Sequence, residues 1–390
     1  MKVITEWWAI IKSRCNNPEQ WAIDQALELS KLPFLHKHIA LMPDTHQWYG
    51  MPIGWVIACE WVIIPNAVGV DIGCGMCAIK TSLTNINTET LKEILWEIRK
   101  QIPVGFKHHN DEQEWCPSLW MLNTMPIVFE NHRSSLKQIW TLWGWNHFIE
   151  IQKWDDWHIW VMIHSWSRNV WLQVATHYNN LAKKLNAERY SNVPKDLNFL
   201  PIDSKEWKMY IQEMDRCLEF ALSSRKHMMS KVIDIIWNIT IKNKETKTFS
   251  IEDEMINIHH NYASKENHYW KNVVVHRKWA TLARKWTIGI IPWSQWTKSY
   301  IVKWLWKKES FMSCSHWAGR TMWRKAAQEN LDIKAEQKML DDQWILHSIR
   351  WVGDLDEAPS AYKDIDVVME EQKDLVEILV ELTPLAVIKW

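Results

Sequence analysis

Glycine is scarce: the chain has 10 in 390 residues, where globular proteins average about 7%. Glycine and tryptophan together number 41, which would be ordinary for glycine alone in a turn-rich enzyme, where tight turns draw on conformations that glycine adopts freely. Phe and Tyr are sparse too, at 8 each, so the chain has no general demand for aromatic surface. Net charge is missing: 46 Lys and Arg stand against 46 Asp and Glu. That excludes a global basic field for nucleic acid and leaves room only for a local patch. Long apolar runs are also absent. The stretch Trp7-Trp8-Ala9-Ile10-Ile11 ends at Lys12, too short for a secretory signal or a membrane span, so a cytoplasmic location is expected. Seven cysteines, scattered from Cys15 to Cys314, fit reduced thiols or ligands better than a disulfide framework.

Tryptophan is what the chain has in excess, with 31 residues. A hydrophobic share of 47% and a charged share of 24% otherwise describe a soluble globular protein with a large core. Trp160, inside Ile159-Trp160-Val161-Met162-Ile163, reads as a genuine strand aromatic. Several others interrupt small, polar stretches. Examples are Lys153-Trp154-Asp155-Asp156-Trp157-His158, Trp143-Gly144-Trp145-Asn146, Ser165-Trp166-Ser167, Pro292-Trp293-Ser294-Gln295-Trp296 and Ser315-His316-Trp317-Ala318-Gly319. Turns of that composition call for positive φ, which a bulky side chain disfavours. Glycine would suit these places.

Element signals point to an α+β fold with mixed or antiparallel sheets and flanking helices. Asn17 as N-cap and Pro18 at the first helical position predict a helix ending near Lys31-Leu32-Pro33. A second begins near Thr88, with Leu91, Ile94, Leu95, Ile98 and Ile102 on one face before Pro103. Ser204 caps the longest helical pattern, running to about Ile236, whose length suggests a break. Short strands fall at 159–163, 273–275 and 301–302. Strands and helices interleave without a βαβ rhythm, so one catalytic domain spanning 1–390 is expected, with a helical insertion at about 172–250.

Val70-Asp71-Ile72-Gly73-Cys74-Gly75 places a carboxylate and a thiol three residues apart in a glycine-containing loop, a spacing that lets both reach one cation. A plain buried turn with a structural cysteine is the alternative. Cys74-Gly75-Met76-Cys77 is also a CxxC, although no second one exists to complete a zinc site. Among 17 histidines, His147, His164, His260 and His316 are the candidates; His164 and His316, like Asp71, sit near Ser, Cys or Gly at probable strand ends and loops, where functional residues collect.

Eight ordered segments resemble the RtcB RNA-splicing ligases: Met42-Pro43-Asp44-Thr45-His46, Gly69 to Gly75, Asn146-His147-Phe148-Ile149-Glu150, His164-Ser165-x-Ser167-Arg168, His260-Asn261, Pro292-x-Ser294, Ser315-His316-x-Ala318-Gly319-Arg320 and Ala361-Tyr362-Lys363-Asp364. The resemblance runs from about Leu32 to Lys389. It implies an enzyme that joins RNA 3′-phosphate or 2′,3′-cyclic phosphate ends to 5′-hydroxyl ends with GTP and two manganese ions. By the same resemblance Asp71, Cys74 and His147 would hold one ion, and Cys74, His164 and His260 the other, with Cys74 bridging. His316 would attack the α-phosphate of GTP to form a covalent guanylate. The guanylate site would comprise Asn146, His147, Phe148, Ile149, Glu150, His260, Asn261, Pro292, Ser294, Gln295, Ser299, His316, Ala318, Gly319 and Lys389. Glu150 could accept from the guanine N1 and N2 donors, and Arg168 and Arg320 are candidate phosphate clamps. Cys and His ligands suit zinc as well as manganese, so the metal's identity comes from the resemblance alone. An RNA-binding relative without ligase activity and a zinc-dependent hydrolase are the alternatives.

The chain departs from this family at Trp48, Trp55, Trp61, Trp143, Trp145, Trp166, Trp293 and Trp317, where the family has glycine. Overpacking of about 1–3 kcal/mol per site and strain of similar size at positive φ would follow. A translational explanation covers all of them at once: some bacteria read the codon UGA as glycine, others as tryptophan, and the wrong code converts only the UGA glycines. Deliberate substitution or a tryptophan-rich relative would be the alternatives.

Overall fold

Two sheets carry the architecture of the computed structural model, which describes residues 1–6, 9–46, 51–114, 125–144, 146–154, 157–189, 193–194, 196–294 and 297–389. The first has six strands in the order Lys2–Glu6, Ala9–Ser13, Leu35–His46, Ile53–Cys59, Lys271–Lys278, Asn261–His268. Only the pair Ala9–Ser13 with Leu35–His46 is parallel. The second has seven antiparallel strands in the order Ile256–His259, Gly75–Lys80, Ile159–Ser165, Phe148–Trp154, Val376–Ile388, Ser299–Trp304, Ile288–Pro292. The chain is therefore α+β with one mixed and one antiparallel sheet.

The sheets face each other across a single apolar layer. Ala40, Met42, Val56 and Ala58 of the first pack in one cluster with Met76, Ala78, Phe148, Trp160 and Met162 of the second. Side chains alternate along a strand, so the neighbours Cys77, Ile79, Ile149, Ile151, Val161 and Ile163 line the opposite face, where they meet Leu91, Ile94 and Ile98 of the helix Thr88–Gln101 and Val232 and Ile236 of the helix Lys205–Lys242. The outer face of the first sheet is covered by Ala22, Ala26 and Leu29 of the helix Gln20–Ser30.

Helix signals were largely correct. Asn87 caps Thr88–Gln101 by accepting from the Thr90 N–H, and Ser204 caps the long helix by accepting from the Trp207 N–H at 3.1 Å. That helix runs unbroken for 38 residues, because each of its turns finds a core to bury against. The first helix starts at Gln20, not next to Asn17, because Glu19 is extended (φ −64°, ψ 143°) and its carbonyl accepts the first helical bond, from Ala22. Within 172–250 the helices Asn169–Glu188 and Lys205–Lys242 are joined through a two-residue strand, Leu200–Pro201, that pairs with Val62–Ile63.

Candidate metal and nucleotide site

The site lies where strands of both sheets end. His164 occupies the strand Ile159–Ser165 and pairs in register with Met76 and Phe148, and Cys74 immediately precedes the strand Gly75–Lys80. His260 stands between Ile256–His259 of one sheet and Asn261–His268 of the other. His316 follows Ser313–Ser315, which pairs with Ala280–Leu282.

Cys74, His147 and His164 are fully buried, and their ligand atoms lie within 4.8 Å of one another. Cys74 Sγ is 3.5 Å from His147 Nε2 and 3.2 Å from His164 Nε2. The tautomers follow from the outer bonds: His147 Nδ1–H donates to the Gly144 carbonyl and His164 Nδ1–H to the Asn146 carbonyl, both at 2.9 Å. Each Nε2 lone pair therefore faces the thiol, the arrangement in which backbone carbonyls orient metal-binding imidazoles. Burial holds His147 down at about 3 and His164 and His260 well below the usual histidine value, so all three rings are neutral. Burial, reinforced by the charge of Asp71, pushes the Cys74 thiol well up. A divalent cation would reverse that direction by ionising the sulfur. One soft sulfur and two oriented imidazole nitrogens fit such an ion.

Asp71 and His260 are not part of the compact trio. His260 is buried with both ring nitrogens unpartnered, its ring centroid 5.3 Å from His164 and 4.6 Å from His316. Asp71 has an unpartnered buried Oδ1 and lines the cavity, and burial raises it to about 7.

That cavity, of about 550 Å³, is also lined by Asn146, Trp279, His316, Trp317, Gly319, Arg320, Arg324, Glu357 and Tyr362. His316 Nδ1 lies 2.9 Å from Asp44 Oδ2, while Nε2 has no partner. A buried aspartate side chain thus fixes the ring and leaves Nε2 unpartnered. Asp44 was visible only as part of a motif, and nothing in its local sequence announced a partner 272 residues away.

The predicted guanylate residues divide. Phe148 and Glu150 share one strand face, and Gln152 donates both to Glu150 Oε2 (2.7 Å) and to Ser299 Oγ (3.1 Å). Gln152 is a member of this polar row that sequence reasoning missed, although its position two and four residues beyond Glu150 and Phe148 was the available signal. Asn261 accepts from the Trp279 N–H through Oδ1, and its own amide nitrogen is unpartnered. Pro292 pairs in register with Ser299, Ser294 Oγ contacts Thr297 Oγ1 at 2.8 Å, Ala318 is buried and Lys389 pairs with Asp356 at 3.1 Å. Ile149 points into the helix-facing core, so only its backbone is on the site side. Gln295 lies outside the described residues, as do Trp48 and Trp145. Arg168 donates to the Gly105 and Lys107 carbonyls, which makes it a brace for that loop. Arg320 and Arg324 pair with Glu357 at the cavity.

Trp317 fills the middle of this arrangement. Its ring centroid is 5.2 Å from His164, 5.8 Å from Tyr362, 5.9 Å from His316 and 6.2 Å from Phe148, and its indole N–H has no acceptor.

The chain matches the tRNA-splicing ligase RtcB family over residues 25–119 and 118–390. It is 35% identical over 392 residues to the RNA-splicing ligase RtcB of Escherichia coli (strain K12), covering 94% of each chain. It is 29% identical over 430 residues to the tRNA-splicing ligase RtcB of Methanococcus maripaludis, covering 91% of this chain and 88% of that one. With the Thermococcus kodakarensis tRNA-splicing ligase RtcB the figures are 28% over 443 residues, 94% and 90%. The chain is an enzyme of the RtcB family of tRNA-splicing ligases.

Proposed function

We propose that this enzyme seals RNA 3′-phosphate or 2′,3′-cyclic phosphate ends to 5′-hydroxyl ends, using GTP and two manganese ions, in tRNA splicing or RNA repair. The observation that carries the reading is His316, whose Nδ1 is held by Asp44 and whose unpartnered Nε2 stands at the cavity. Nε2 attacks the α-phosphorus of GTP, a P–N bond forms, the P–O bond to pyrophosphate breaks and pyrophosphate leaves. An oxygen of the RNA 3′-phosphate then takes the guanylate from His316, breaking the P–N bond. Attack by the 5′-hydroxyl on the activated 3′-phosphate expels GMP and joins the strands; a cyclic phosphate is first opened by water. Cys74, His147 and His164, with Asp71 and His260 beside them, would hold the metal, which when bound neutralises phosphate oxygens and orients them for displacement. Asp44 keeps the His316 ring turned to the cavity and stabilises the positive charge that develops on the ring as the P–N bond forms. Glu150, Gln152 and Ser299 give a buried polar row for a purine edge, and Arg320 and Arg324 give a local cationic rim. A zinc-dependent hydrolase accounts for the S and two N ligands but leaves the His316–Asp44 pair without a task.

The test uses full-length protein, made as written and as the double variant Trp279→Gly/Trp317→Gly, with manganese and GTP labelled at the α-phosphate. Acid-labile protein-bound label is expected in the double variant and is expected to vanish on adding His316→Ala. Label that survives His316→Ala, or no label in either form, would overturn the mechanism.

A further inference from the structure

The candidate metal ligands come from separate segments, yet one buried side chain ties two of those segments together. Arg225, in the helix Lys205–Lys242, is fully buried. Its Nη1 donates to the carbonyls of Gly73 and Ser165, both at 3.0 Å, and its Nε to Asn257 Oδ1 at 2.7 Å. Its Nη2 lies 3.2 Å from His259 Nδ1. Gly73 immediately precedes Cys74, and Ser165 immediately follows His164. Gly75 lets the pieces close up: a Cβ there would lie 2.0 Å from the Ile258 carbonyl oxygen and 3.1 Å from the guanidinium carbon. We propose that Arg225 is a positioning residue that fixes the separation of Cys74 and His164, and so sets the affinity of the site for a divalent cation. A planar fork can hold two carbonyls and an amide at fixed angles, whereas an ammonium cannot.

This inference rests on the metal reading of the Cys74 cluster, so the experiment begins with cobalt(II), whose near-ultraviolet charge-transfer band reports bonding to a thiolate. Wild-type protein is expected to bind cobalt with that band. Arg225→Lys keeps the charge and loses the fork, and its affinity is expected to fall about 10–100-fold, with the band shifted. Asn257→Ala, which frees one side of the guanidinium, is expected to weaken binding in the same direction by less, and it decides the matter if Arg225→Lys does not fold. Wild-type affinity and an unshifted band in the folded variants, whatever their melting temperatures, would overturn the proposal. Wild-type protein that binds no cobalt would instead overturn the metal reading beneath it.

The backbone carries a second, independent inference. Among the described residues sixteen non-glycine positions have positive φ, and eight are tryptophan: Trp61, Trp140, Trp157, Trp270, Trp279, Trp286, Trp306 and Trp344. Three of these occupy turns whose geometry demands glycine. Tyr269 and Trp270 (φ 51° and 65°) form the two-residue turn between paired His268 and Lys271, the type I′ hairpin that calls for glycine at its second central position. Trp344 (φ 59°) follows the helix Ile333–Asp342 and its C-cap Gln343. Its N–H bonds the Asp341 carbonyl while Ile345 N–H bonds that of Leu340, the helix-ending motif whose left-handed residue is normally glycine. Trp286 (φ 67°) is the third residue of the turn closed by Thr287 N–H to the Arg284 carbonyl, the type II place for glycine. Trp270 and Trp344 are 95% and 89% exposed, so no packing compensates for the strain.

We infer that these eight residues are glycine in the protein as its own host makes it, encoded by UGA. The coding DNA is expected to show UGA at all eight and UGG at Trp160, and peptides from the native host are expected to carry glycine at Trp270 and Trp344. UGG at those codons, or tryptophan in those peptides, would overturn it. In recombinant protein Trp270→Gly and Trp344→Gly are each expected to raise the melting temperature, and unchanged or lower values would argue that the turns tolerate the indole.

Discussion

His316 depends on a carboxylate that does nothing else visible in the site. Replacing Asp44 with Asn keeps the size but reverses the hydrogen-bonding character at Nδ1, favouring the tautomer that places the proton on Nε2. Asp44→Asn is therefore expected to slow guanylate labelling by on the order of 10²–10⁴-fold, with cobalt binding unchanged. Comparable labelling rates would remove Asp44 from the mechanism. Gly319 protects the same pair. Its φ is +81°, and a Cβ would come within 2.3 Å of the Asp44 carbonyl oxygen. Gly319→Ala is expected to lose labelling by shifting Asp44, and a labelled, stable Gly319→Ala would contradict that packing argument.

The elements explain what could be read in advance and what could not. Caps and apolar periodicity are local, so Ser204 announced the long helix and the face of Leu91, Ile94 and Ile98 announced Thr88–Gln101. The Cys74, His147, His164 and His316 assignments came from motif resemblance, and the fold then supplied distances. Strand parity separated Ile149 from Phe148 and Glu150, a distinction already latent in the alternation. Arg225 carried no signal at all, because a charged residue on a long helix looks solvated until the helix is known to be buried. His276 was equally silent, because its burial comes from sheet packing that its local sequence does not announce. It lies in the strand Lys271–Lys278, and its Nε2 accepts from the Ile64 N–H at 2.9 Å, which requires a neutral ring. Burial lowers it to about 3, whereas the unfolded chain takes up that proton near 6.5. Between those values the unfolded state binds more protons, so stability is lost as pH falls from about 6.5 towards 3. His276→Gln, which can still accept from Ile64, is expected to flatten part of that slope in urea titrations run across this range. An unchanged slope would show that the ring contributes nothing to it.

At the scale of the whole molecule, the site draws on both sheets and on residues from Asp44 to Tyr362. Among the described residues no helix is long and apolar enough to cross a membrane, and the six described cysteines are all free and buried. The seven-stranded sheet is also closed from its middle: Val376–Ile388 inserts between Phe148–Trp154 and Ser299–Trp304. A chain cut before Val376 is expected to be insoluble, and a soluble, cobalt-binding truncation would refute that. For a ribosome the consequence is one of timing. Until Val376–Ile388 emerges, two strand edges stay open to any passing chain, so an internal UGA, if read as stop before it, would yield an aggregation-prone product in place of a shortened ligase.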